Sequence, residues 1–435
     1  MCHGQFVPAT VAPQTVHGVE HVQQRQVAVQ RQPVPGRRAH LVEGDVGLGP
    51  VEAAHRAVLA HEPVDHTAGD DVAAVLASGY IGQGPKVEEF EERLRERLAN
   101  NRVLTVNSAT SALHLAIHLL RRPTSMGWPV LEDGDEILTT PLTCTATNFP
   151  ILANRMNLRW VDVDPNTCNM DLADLERKLT PETKAVMVVH WGGYPVDLDE
   201  LAAVLDRCEQ RFGNRPAVIE DCAHSWGSTY KGSPLGNHGN FAAFSFQAIK
   251  HLTCGDGGLL VTPSDDLLHR GKLLRWYGID RDDNSRSDFR CEADVAEFGF
   301  KFHMNDISAA IGLANLSIID DVVGRHKANA AYYDASLAGL DGVTLLERAP
   351  DRESSFWIYT IRAERRDDFM RKLKDAGIAV SRVHERNDIH SCVAQYQAPL
   401  PQLDALITEM VCFPVGWWVN DEQRERIVDT IRSGW

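Results

Sequence analysis

The sequence predicts an α/β fold: a larger domain with a mostly parallel, seven-stranded sheet between helices, followed by a smaller α+β C-terminal domain. Two observations carry that expectation. From Asp70 to about Asn315, short apolar runs alternate with helical stretches, and a chain with that rhythm builds a parallel sheet whose crossover helices cover both faces. Beyond about residue 320 the rhythm changes to one long helix, an aromatic strand and shorter amphipathic helices, as expected of a second, smaller lobe.

In order along the chain, residues 1–45 are rich in Gln, Val, His and Pro without a sustained helical stripe, and read as a disordered leader or a start-site extension. The large domain is expected over 65–320 and the small domain over 321–435. Residues 103–106 form a short β-branched strand, and 107–111 open a helix with an apolar stripe of Ala112, Leu113, Ala116, Ile117 and Leu120. Strands follow at 137–140, 158–163, 185–190, 217–220, 242–246 and 258–261, each a short, mainly apolar run. Residues 307–319 form a small-residue helix suited to close packing, and 322–338 a long connecting helix. The smaller lobe then offers a strand at 356–361 and amphipathic helices at 366–376 and 421–432.

Three features of this frame carry chemistry. Lys250 lies between an aromatic strand and a Gly-rich turn, where it either snorkels to solvent or is buried, in which case its charged form is disfavoured and a neutral amine is free to attack an aldehyde. Asp221 ends the apolar run before it, at a strand end where ligands of open α/β sheets collect. There it either caps the next helix or keeps a pyridine ring nitrogen protonated. The helix start at Ser108, Ala109 and Thr110 is either an ordinary Ser/Thr cap or a set of free N–H groups and hydroxyls that suits a phosphate dianion, to which Ser245 adds a hydroxyl five residues before the lysine.

The phosphate-binding turn, Asp221, Ser245 and Lys250 come in the order found in fold type I pyridoxal-phosphate (PLP) enzymes. The wording of 78–91, 134–138, 161–164, 190–193, 220–224 and 244–258 resembles the DegT/StrS-type sugar aminotransferases. That resemblance implies a PLP cofactor carried on Lys250, with Asp221 beside the ring nitrogen and His224 beside the ring hydroxyl. Ser108, Ala109, Thr110 and Ser245 would hold the phosphate, and His303, Asn305 and His384 would contact substrate. It also implies L-glutamate as amino donor, a nucleotide-linked keto-deoxysugar as acceptor, and a homodimer whose residues near Phe302 complete the neighbouring site. Three positions depart from the family pattern: Ala109 replaces a glycine, Cys144 stands where an aromatic stacks on the cofactor, and Lys301 replaces a neutral amide near the phosphate.

Composition fits a cytoplasmic enzyme without selecting one, at 24% charged and 43% hydrophobic residues. A formal charge of −16 argues against nucleic-acid binding, although local cations can still serve an anionic substrate. Nine cysteines without a C-x-x-C pair argue against a disulfide framework or structural zinc, and no metal site is expected. No apolar run reaches the roughly 20 residues that span a bilayer. Three functional readings compete: a sugar aminotransferase, a PLP-dependent dehydratase or lyase of the same fold, and a PLP-binding regulator without turnover. Dehydrating relatives replace the lysine by histidine, so Lys250 favours transamination.

Overall fold

The computed structural model describes residues 64–281 and 294–435, and the expected leader at 1–45 lies outside them. Its main sheet has seven strands: β1 (Val103–Val106), β2 (Glu136–Thr139), β3 (Asn157–Trp160), β4 (Thr183–Val189), β5 (Ala217–Asp221), β8 (Phe241–Ser245) and β9 (Gly258–Val261). They lie in the order β1-β9-β8-β5-β4-β2-β3. The pairs from β8 through β5, β4 and β2 to β3 are parallel, whereas β9 runs antiparallel to both β8 and β1. Between β5 and β8, the two-residue strands β6 (Thr229–Tyr230) and β7 (Ser233–Pro234) join β11 (Arg352–Glu353) in a small sheet of their own.

Both faces of the main sheet are covered, because alternate residues of one strand feed different cores. Val103, Val186, Val188 and Val218 pack with Phe90 and Leu94 of α2 (Pro85–Leu98) and Leu201 and Leu205 of α6 (Leu198–Phe212). Their neighbours Leu104, Ala185, Met187 and Ile219 pack with Leu113, Ile117 and Leu119 of α3 (Ala109–Leu119). Before them comes α1 (Ala68–Ser78), and between them stand α4 (Thr145–Ala153) and α5 (Leu172–Lys178). A buried cluster ties α2 to β1: Glu91 accepts from the Thr105 N–H at 3.0 Å and from Arg275 at 2.6 Å. Burial alone would raise the Glu91 pKa, but the Arg275 charge and these bonds hold it below the ordinary carboxylate value.

After α7 (Asp265–Leu274), α8 (Asp306–Leu316) and the long α9 (Ile319–Leu337), a second sheet takes the order β10-β12-β13. Its strands are β10 (Val343–Leu345), β12 (Tyr359–Ala363) and β13 (Met410–Phe413), all antiparallel. A third core forms here from Tyr333 and Leu337 of α9, Tyr359 and Ile361, Phe369 of α10 (Arg366–Asp375), and Ile427 and Ile431 of α12 (Asp421–Arg432). The remaining helix, α11 (Pro401–Glu409), packs into the core shared with α3. The strand expected at 356–361 starts three residues later, because Phe356 adopts φ 52° and Phe356 and Trp357 belong to the incoming loop. No single helix among the described residues is long and apolar enough to cross a membrane.

Candidate active site

Asp221 is the last residue of β5, the central strand of the seven. Its side chain is buried and doubly bonded: Thr147 Oγ1 donates to Oδ2 at 2.7 Å and the Ala223 N–H to Oδ1 at 2.9 Å. Thr143 and Thr147 hydroxyls lie 2.6 Å apart and extend the chain of bonds into the turn before α4. Burial outweighs those bonds and the nearby Lys250 charge, so the Asp221 pKa sits above the ordinary carboxylate value. An acid that is costly to ionise alone is well suited to face a cationic group.

Behind it lie His190 and Glu220, both buried. Val196 N–H donates to His190 Nδ1 at 3.0 Å, which leaves the ring proton on Nε2, 2.9 Å from Glu220 Oε2. Together with Cys222 these are, among the described residues, a group whose ligand atoms lie within 4.8 Å of one another. His190 and Glu220 spend their side-chain atoms on protein hydrogen bonds, and burial raises the Cys222 pKa well above the thiol value, so the arrangement braces the end of β5.

Lys250 sits in the turn between β8 and β9, where its N–H donates to Gln247 O at 2.9 Å. Burial pushes its amine down to about 8, against the opposing pull of Asp221 and Cys144. Its Nζ lies 3.5 Å from the ring centroid of Trp357. Around that indole are two nearly parallel imidazoles, His224 at 3.9 Å and His384 at 6.2 Å between centroids. Burial holds His224 well below its usual pKa and His384 at about 4, so both are neutral at physiological pH. His224 Nδ1 and His384 Nε2 are buried without a hydrogen-bond partner among the described residues.

The turn expected to bind phosphate forms where α3 meets β9. Ser108 caps α3, accepting from the Ser111 N–H at 3.1 Å. Gly258 pairs with both Val106 and Ser245, so Ser245 and the start of α3 flank one glycine. A Cβ at Gly258 would lie 2.4 Å from Ser108 C and 2.5 Å from Ala109 N. Only glycine permits so close an approach, which brings the Ser245 strand end against the free N–H groups of the helix start. This cradle, the orphaned imidazole nitrogens, a buried amine and a buried carboxylate together fit a phosphorylated pyridine aldehyde.

The structure therefore gathers Ser108, Ala109, Thr110 and Ser245 at one locus and Lys250, Asp221, Cys144, His224 and His384 at another close by. Three predicted residues point elsewhere within this chain. Lys301 Nζ lies 3.7 Å from the Trp276 ring centroid, and His303 meets the same indole at 4.0 Å. Asn305 caps α8 by accepting from the Ser308 N–H at 2.9 Å. Asn107 ties this segment to the start of α3, its backbone N–H donating to Phe302 O at 2.7 Å and its side-chain amide to Lys301 O at 3.3 Å. Thr147 and Trp357 escaped the sequence reading. The i, i+4 spacing of Thr143 and Thr147 at a helix start was a usable signal; Trp357 was hidden inside an expected strand.

Comparison with known proteins agrees with this geometry. Residues 64–432 match the DegT/DnrJ/EryC1/StrS aminotransferase family. The structure resembles that of AtS13 from Actinomadura melliaura, 55% identical, with a TM-score of 0.82 over 87% of this chain and 98% of that one. It also resembles the sugar aminotransferase CalS13 from Micromonospora echinospora, at 50% identity and a TM-score of 0.81 over 87% and 99% of the two chains. A more distant neighbour is the PLP-form of a putative sugar aminotransferase from Streptococcus pneumoniae, 26% identical, with a TM-score of 0.75 over 86% and 97%.

Proposed function

We propose that this chain, which belongs to the DegT/DnrJ/EryC1/StrS aminotransferase family and is a PLP-dependent transaminase, moves an amino group from L-glutamate to a nucleotide-linked keto-deoxysugar. The observation that carries the reading is the pairing of a buried amine at Lys250 with a buried carboxylate at Asp221 beside a glycine-lined helix start. When bound, PLP supplies an aldehyde that couples to amines and a ring that withdraws electrons from the adjoining carbon.

Each residue then has one task. The N–H groups of Ala109 and Thr110, with the Ser108 and Ser245 hydroxyls, anchor the phosphate. Asp221 holds a proton on the ring nitrogen, and Thr147 holds Asp221. His224 donates or accepts at the ring oxygen through its free Nδ1. Lys250 would hold the cofactor, and its Nζ would move a proton to and from the substrate carbon, for which a pKa of about 8 is well matched. His384 faces the acceptor. Two copies of the chain assemble in the cytoplasm, each lending Lys301, His303 and Asn305 to the other's site.

Borohydride reduction followed by peptide mapping tests the first premise and should find the pyridoxyl group on Lys250. Incubation with glutamate and a panel of nucleotide keto-sugars should then give one product carrying an amine in place of the ketone, read by mass. A pyridoxyl group on any other lysine, or no aminated sugar from the panel, overturns the corresponding half of the reading.

A further inference from the structure

Trp357 belongs to no motif that the function absorbed, yet it touches Lys250 in two ways. Its indole N–H donates to Ile249 O at 2.8 Å, on the residue before the lysine, and its ring face lies 3.5 Å from Nζ. Its backbone N–H is itself fixed, donating to Gly192 O at 2.9 Å. Among the described residues no carboxylate lies within 4.0 Å of Nζ. The other ionisable groups around the amine are Asp221 at the end of β5, Cys144 ahead of α4, His224 after β5, His251 on the same turn and His384. All three imidazoles are held neutral by burial, so none repels the amine at physiological pH.

Resting on the PLP reading above, we propose that Trp357 is a positioning residue for Lys250. Its indole face holds the amine whenever the lysine is not bonded to cofactor, and its N–H fixes the turn that carries the lysine. The chemistry of the ring explains the choice. A negative π-face attracts an ammonium but has no basic atom, so it steadies the charge and leaves the proton on Nζ free to be delivered. A carboxylate in the same place would bind the ammonium more firmly and resist its return.

The test uses the full-length protein stripped of cofactor, with tryptophans of increasing fluorination placed at position 357. Fluorine drains the ring face at nearly constant shape, so the fold is preserved while the attraction fades. The readout is the pH dependence of Lys250 labelling by an amine-selective reagent, followed by peptide mass. The midpoint should fall by about half to one pH unit across the series, because a weakened face stabilises the ammonium less. Trp357→Phe, which keeps a face and lacks the N–H, should retain most of the midpoint but take up PLP several-fold more slowly. A midpoint that does not move, or that rises with fluorination, overturns the proposal. Borohydride trapping on the same proteins separates that failure from failure of the PLP reading, since a pyridoxyl group at Lys250 leaves the latter standing.

Discussion

At the scale of single residues, Lys250 and Asp221 are each set by burial, with opposite consequences for their protons. Lys250→Ala removes the one amine proposed both to carry the cofactor and to move the proton. Turnover should drop below detection while the melting profile of the stripped protein stays cooperative; retained activity of more than about one part in a hundred would refute the assignment. Thr147→Val is subtler, because it removes a hydrogen bond that favours the Asp221 carboxylate. That bond holds the carboxylate form, so the Asp221 pKa should climb further above the ordinary carboxylate value. The acid limb of the glutamate half-reaction should move to higher pH, and a limb that stays put would argue that Thr147 does not act through Asp221. The sign for stability follows the same shift. The folded-state pKa of Asp221 is raised, so the folded chain keeps a proton the unfolded chain has lost, and this group's contribution falls as pH rises from 3.8 through the folded value. The valine variant should widen that window in a pH series of thermal melts.

At the scale of elements, the contact between the start of β9 and the start of α3 fixes the turn proposed to hold phosphate. Gly258→Ala would force a methyl against Ser108 and Ala109 backbone, an overlap that neither neighbour can relieve by rotating a side chain. PLP affinity of the stripped protein should weaken at least tenfold, whereas Gly255→Ala should cost stability at its φ of 77° with little direct effect on phosphate binding, as nothing lies within 4 Å of its Cβ. Equal losses of affinity would show that the close approach is unimportant. This also marks how far the chain could be read in advance. β1 and β9 matched the expected bounds, and Asp221 fell at a strand end, because apolar runs with sharp ends report burial directly. The sheet order and the antiparallel β9 were not legible, since pairing depends on which runs meet in space. Trp357 was missed for a related reason: Phe356 and Trp357 have strand-like composition, and nothing in residue type announced the positive φ that turns Trp357 toward the lysine.

At the scale of the whole molecule, the predicted residues that do not reach Lys250 are informative. Lys301, His303 and Asn305 lie in one stretch whose side chains serve Trp276 and the α8 cap, and that stretch adjoins exposed aromatics, Phe298 at 68% and Tyr277 at 45%. Large apolar side chains left this open are what a subunit contact would cover. If the chain forms the proposed two-fold dimer, its mass in sedimentation should be twice 48.3 kDa. In such a dimer each substitution is felt twice, once from each copy. Burying a phenylalanine is worth about 1.5–3 kcal/mol, so Phe298→Lys, which removes that ring from both copies, should weaken association about a hundredfold or more. Because each site would draw on its neighbour's Lys301 segment, PLP affinity should fall in step with dissociation and recover at high protein concentration. A Phe298→Lys protein that stays dimeric would remove this face from the contact, and a monomer with unchanged PLP affinity would show that one chain holds the cofactor unaided.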